Sequence, residues 1–209
     1  MKGFAYWIGV ALLAAPSAAS AQLGTGKSGV SSEYRFSGRG AYDELNAFGE
    51  CFATKQTKDA LRLVGTEAGS ADEARVYKAL FSKEQFCLGS LSGLSVPWQF
   101  VRGAVGEGFY ARRVPVPANL ALPRDLAPAK VQSVMDAATC YVGQHPADAR
   151  ALIETTKPAT KEEMAAFDAH WAEFEACLPA NMPKGYKFDT LLLRYRIAEA
   201  LWRQGWVHN

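Results

Sequence analysis

CFATKQTKDALRLV at residues 51–64 and CYVGQHPADARALI at residues 140–153 decide how this chain is read. Set against each other at an offset of 89, they pair Cys51 with Cys140, Asp59-Ala60 with Asp148-Ala149, and Leu63-Val64 with Leu152-Ile153. Carried on at an offset of 90, the alignment matches Ser70-x-x-Glu73 with Thr160-x-x-Glu163 and Cys87-Leu88 with Cys177-Leu178. Two further residues in the second copy bring Arg194 opposite Arg102 and Glu199 opposite Glu107. Few residues are identical, so each match is weak on its own. Cysteines, helix caps and a terminal Arg/Glu helix falling in one order predict a duplicated unit.

Each copy reads as helical. Ser70-x-x-Glu73 and Thr160-x-x-Glu163 are capping boxes, in which hydroxyl and carboxylate satisfy the free amides that open a helix. Val76, Tyr77, Leu80 and Phe81 recur at helical spacing, and Pro146 suits a first turn. Helices are expected over 41–54, 57–64, 70–87 and 97–113, and again over 129–143, 146–156, 160–177 and 189–204. No stretch alternates apolar and polar residues for long, so no strand is expected. The predicted fold is all-α, with two tandem units of about four helices each at residues 41–113 and 129–204. Between them, Pro115, Pro117, Pro123 and Pro128 forbid a helix and predict an extended linker over 114–128. The Gly/Ser-rich stretch 22–40 is expected to be a flexible arm.

Residues 1–21 have the form of a secretory signal: Lys2, a 12-residue apolar run from Phe4 to Ala15, a break at Pro16-Ser17, and small residues at Ala19-Ser20-Ala21. A membrane span needs roughly 20 apolar residues, so the run is too short to anchor the chain. Export implies an oxidising compartment, where four cysteines are read first as two bridges. Three pairings are open to them. A unit that preceded its duplication had only its own two cysteines, which selects Cys51–Cys87 and Cys140–Cys177. Composition is that of a folded globular protein, 49% apolar and 21% charged. A net charge of +2 is too balanced for nucleic-acid binding driven by phosphate neutralisation.

Several stretches imitate chemistry. Gly24-Thr25-Gly26-Lys27-Ser28 lacks the earlier glycine and the preceding strand that a phosphate-binding loop requires. Gly103, Gly106 and Gly108 fall within an expected helix, where close approach of a neighbouring helix, at Gly103 and Gly106 on one face, is a better account than a ligand groove beside Trp98 and Phe109. Cys140, His145, His170 and Cys177 hold the atoms of a zinc site, but a disulfide already accounts for the cysteines and the first copy lacks both histidines. His145, His170 and His208 belong to no nucleophile motif. Glu162, Glu163, Glu173 and Glu175 resemble the solvated face of a helix. The duplicated pairs are more telling. Glu199 shares a face with Leu192, Tyr195, Trp202 and Trp206, and a carboxylate on an apolar face needs a partner. Arg102, Glu107, Arg194 and Glu199 are therefore expected to form partly buried structural ion pairs.

The Cys…Cys-Leu pair followed by Val101-Arg102-Gly103-Ala104-Val105-Gly106-Glu107-Gly108-Phe109-Tyr110, echoed from Leu193-Arg194 to Trp202, resembles uncharacterised exported proteins of alphaproteobacteria. Those carry the same helical unit once or twice, and the likeness spans about residues 41–203. It implies export and brings no activity with it. The expected role is a non-catalytic periplasmic or secreted protein presenting a binding or structural surface, with another envelope protein as partner. No catalytic residue, cofactor, metal, nucleic acid or stable membrane span is expected. An envelope hydrolase using acidic residues is the alternative.

Overall fold

The computed structural model describes residues 30–31, 40–81, 87, 96–179 and 188–206. Expectations for the signal, for Gly24 to Ser28, for His208 and for most of the 22–40 arm lie outside them. Among the described residues the chain is helical: α1 Gly40–Lys55, α2 Thr57–Val64, α3 Ala71–Phe81, α4 Trp98–Ala111, α5 Val134–Gln144, α6 Pro146–Thr155, α7 Lys161–Ala169, α8 Trp171–Glu175 and α9 Thr190–Arg203. Two short strands, β1 Val30–Ser31 and β2 Phe188–Asp189, pair in parallel. This ties the expected arm to the entry of α9 at one point, and it is the sheet that alternation could not reveal, because two residues carry no pattern.

Local chemistry sets the helix ends. Ser133 opens α5 with a capping box, its Oγ accepting from the Asp136 amide at 3.1 Å while Asp136 accepts from the Ser133 amide at 3.0 Å. Helix α5 therefore starts at Val134 rather than 129, and residues 128–130 form only a 3-10 turn. The single helix expected over 160–177 breaks at His170, leaving α7 and α8. Helix α3 ends at Phe81, and Cys87 stands in a turn rather than in the helix.

Helices α4 and α9 run through the centre. Helix α1 lies against α4, and α5 and α6 lie against α9. One contiguous apolar core spans all of them, from Leu45 and Phe52 in α1 to Leu201 and Trp202 in α9. Close approach explains two of the glycines: a Cβ on Gly103 would collide with Tyr195 of α9, and one on Gly108 with the backbone at Gly49 of α1. Phe109 stacks on Trp202 with ring centroids 4.4 Å apart, locking α4 to α9 below that contact.

The proline-rich linker is held rather than free. Leu120 accepts from Arg203 Nε at 2.7 Å, Pro123 from Gln204 Nε2 at 2.7 Å, and Val114 from Trp202 Nε1 at 2.7 Å. Arg124 lies over the Trp206 ring. A segment whose only helical piece before Pro128 is the 3-10 turn Ala118–Leu120 thus has three of its carbonyls satisfied by the end of α9. Disulfides Cys51–Cys87 and Cys140–Cys177 close, with Cα–Cα separations of 5.7 and 5.8 Å.

Candidate functional site

Two buried arginine centres are the most concentrated charge in the described residues. In the first, Arg102 of α4 is fully buried. It donates to Glu199 of α9 along one edge, Nε to Oε2 at 3.1 Å and Nη2 to Oε1 at 2.7 Å. Its remaining donors reach the end of α2: Leu63 O, Val64 O, Thr66 O and Thr66 Oγ1. Glu73 of α3 approaches Nη1 at 3.5 Å. The guanidinium thereby satisfies carbonyls that the last turn of α2 leaves open. Glu73 does the same for the start of α3, accepting from the Gly69 amide at 2.6 Å.

The second centre repeats these contacts. Arg194 of α9 donates to Glu107 of α4, Nη2 to Oε1 at 2.8 Å and Nε to both oxygens at 3.1 and 3.2 Å. It reaches Leu152 O, Ile153 O, Thr156 O and Thr156 Oγ1 at the end of α6. Nη1 donates to Glu163 of α7 at 3.2 Å, and Glu163 accepts from the Ala159 amide at 2.7 Å. Each arginine thus takes one glutamate from its own half and one from the other half.

All four residues singled out by the duplicated Arg/Glu pattern are brought into these centres. Four further participants escaped that reading. Glu73 and Glu163 were visible only as caps, and Glu163, placed on a solvated face, is fully buried. Their matched positions at an offset of 90 residues were the available signal. Arg196 and Arg203, which reach Glu199 at 3.3 and 3.4 Å, have alanines 92 residues earlier, so nothing in the repeat marks them.

Electrostatics differ between the centres. Burial pushes the Glu199 carboxyl up, but Arg102, Arg196 and Arg203 together overcome it and hold the group down at about 2. Burial raises Glu73 despite the pull of Arg102. At the second centre burial dominates outright: with one arginine opposing it, and Glu107 adding repulsion, Glu163 rises to about 7. Tyr195, fully buried and donating to Asn46 Oδ1 at 2.9 Å, is raised well above the usual phenol range by burial.

The other candidates are dispersed. Cys140 and Cys177 are bonded to each other, so neither is a thiolate ligand. His145 precedes α6 and sits 3.8 Å from Asp148, and His170 marks the α7–α8 break. Among the described residues no group of three or more His, Cys, Asp or Glu is placed to hold a metal ion, and no helix is long and apolar enough to cross a membrane. Tyr110 donates to Glu154 at 2.6 Å, joining α4 to α6.

An open groove of about 990 Å³ lies between α2, α3 and the 118–120 turn. Leu61, Val76 and Leu120 form its apolar floor, with Lys58 and Arg62 exposed in its lining beside the half-buried Asp59, a net surplus of one cation. Thr66 lines it too and accepts from Arg102, so the groove backs onto the first arginine centre. No family model, curated protein or solved structure matches the chain.

Proposed function

We propose that this is a non-catalytic, exported helical protein of the cell envelope, built from a duplicated unit, that engages another envelope protein through the α2–α3 groove. The observation that carries the reading is the groove itself: an open apolar floor with a net surplus of one cation in its lining. Such a lining suits a partner segment bearing apolar and acidic side chains. Two disulfides fit an oxidising, extracytoplasmic environment, and the signal-like residues 1–21 give the route there. The hydrolase alternative needs a carboxylate standing free in a cleft. Glu107 and Glu199 are instead held by arginines inside the helix layer.

A photo-crosslinking residue placed at Arg62 in the exported protein tests this, with Lys161 of α7 as the exposed control position. A discrete adduct from position 62 and none from 161 supports the groove. No adduct from 62, or equal adducts from both, overturns it. Turnover of cell-wall glycan by the purified oxidised protein overturns the non-catalytic part separately.

A further inference from the structure

The two centres grip the backbone alike but hold different charge. Around Arg102 stand three guanidiniums (Arg102, Arg196, Arg203) and two carboxylates (Glu73, Glu199), a surplus of one positive charge. Around Arg194 stand one guanidinium and two carboxylates (Glu107, Glu163), a deficit of one. Arg194 and Glu163 have almost no exposure, and Glu107 is 12% exposed, so water can offset that deficit only at its edge. A buried excess negative charge is costly, and the simplest remedy is a proton.

Geometry says where the proton goes. Glu107 occupies the Nε/Nη2 edge of Arg194 with three hydrogen bonds, whereas Glu163 receives only one, from Nη1. Glu163 joins α7 to α9, as does the Thr190 hydroxyl donating to Met164 Sδ at 3.4 Å, and the other Glu163 oxygen holds the Ala159 amide at the entry to α7. Among the described residues, the surrounding elements supply no second cation that pairs with it. Tyr195 of α9 and Tyr42 of α1 feel its charge, with Asp189 of β2 also acting on Tyr42. Glu154 of α6 is engaged by Tyr110, and Glu173 of α8 acts on Tyr141. On α7 itself Lys161, Glu162 and Asp168 are exposed.

We propose that the Arg194 centre is a proton-operated latch: proton uptake by Glu163 seats α7 on α9, and proton loss loosens it. At the Arg102 centre burial raises Glu73 in the same direction, but Arg196 opposes the rise as well as Arg102, so that centre responds less. The raised titration of Glu163 agrees in sign. A carboxyl that titrates near 7 when seated and near 4.5 when freed favours the seated state as pH falls. That contribution is full below about 4.5 and is lost as pH rises through about 7. An exported protein with this centre tightens in mild acid and loosens in mild alkali.

Amide hydrogen exchange on the oxidised full chain tests the latch. Protection factors, which remove the intrinsic pH dependence of exchange, are compared at pH 5.5 and pH 8 for α7 and α3. On the latch reading, α7 protection rises on the order of tenfold at the lower pH, and α3 changes much less. Glu163→Gln, a neutral stand-in for the protonated acid, should keep α7 protected at both pH values. Equal responses of α3 and α7, no response in α7, or an undiminished response in Glu163→Gln would each overturn the proposal. Should that variant fold poorly, carboxyl NMR of the wild-type chain decides. A Glu163 midpoint near 7 supports the latch, and one near 4.5 overturns it.

Discussion

The Arg102 and Arg194 centres are built on one plan and carry opposite net charge. Each arginine leaves a central helix, covers the carbonyl end of a short helix, and meets a glutamate that caps the next one. What separates them lies outside the shared positions. Arg196 and Arg203 both project from α9 toward Glu199, while the residues 92 earlier are Ala104 and Ala111, so Glu107 gains no equivalent pair. Contacts to the backbone set the geometry of a buried ion site. Its charge, and therefore its behaviour on titration, is set by whichever neighbours surround it.

The strongest way to break this comparison is to remove each arginine. Arg194→Met leaves Glu107 and Glu163 buried with no cation, and should cost about 3–5 kcal/mol in urea unfolding at pH 8. Arg102→Met leaves Glu199 with Arg196 and Arg203 still in reach, so its cost should be smaller. The Arg194→Met loss should also shrink at pH 5.5, where a proton can replace the missing cation. A larger loss for Arg102→Met would show that the lost bonds to helix-end carbonyls outweigh charge.

The disulfides sharpen the same contrast by another route. Their loops, 36 and 37 residues apart in sequence, are nearly equal. Replacing either pair by alanines should therefore cost a similar amount, about 3–4 kcal/mol in the loop-entropy picture. Access differs: Cys140 and Cys177 are fully buried, while Cys51 and Cys87 are partly exposed. Native-state reduction by dithiothreitol, followed by alkylation and peptide mapping, should open Cys51–Cys87 first. Simultaneous opening would mean that reduction proceeds through global unfolding.

Much of this was legible in the residues. Helix class and the span of α2 followed from spacing, and the disulfide pairing and the four Arg/Glu residues from the duplicated pattern. Thr57, expected to cap α2, is instead its first helical residue, with Gln56 before it and no side-chain cap. The start of α5 did not, because Ser133 and Asp136 form their box in a stretch whose prolines had drawn the boundary earlier. The break at His170 was hidden because the apolar pattern runs through it. Glu163 was misplaced for a related reason: its sequence neighbours Lys161 and Glu162 are exposed, and only the turn leading into α7 directs it inward. Arg196 and Arg203 had no counterpart to mark them. Aligning the sequence on itself reveals only matched positions, and the charge difference between the centres comes from unmatched ones.

Glu199 provides the third test, with a sign opposite to that of Glu163. Held down at about 2 by three arginines, its carboxylate contributes stability that is present above about 4.5 and lost as pH falls through about 2. Glu199→Gln should cost about 1–3 kcal/mol at pH 7, because three guanidiniums lose a charged acceptor. Its acid limb of unfolding should be flatter than that of the wild type. An unchanged thermal midpoint would mean that the first centre is not structural.

The smallest expected effect separates the two turns that enter α3 and α7. Gly69 and Ala159 donate their amides to the two capping glutamates, and both sit at positive φ, +85° and +59°. Glycine adopts this region freely, whereas alanine carries a Cβ that makes it unfavourable. Ala159→Gly should therefore stabilise the chain, although the added freedom of glycine in the unfolded state takes back part of the gain. Gly69→Ala should do the reverse. A Cβ there meets nothing within 4 Å, so backbone strain is its main cost and no clash adds to it. Net changes of about 0.5–1 kcal/mol with opposite signs are expected. If Ala159→Gly destabilises instead, the Glu163 bond to that amide depends on a stiff alanine turn. The entry to α7 would then be held by its backbone as well as by the carboxylate.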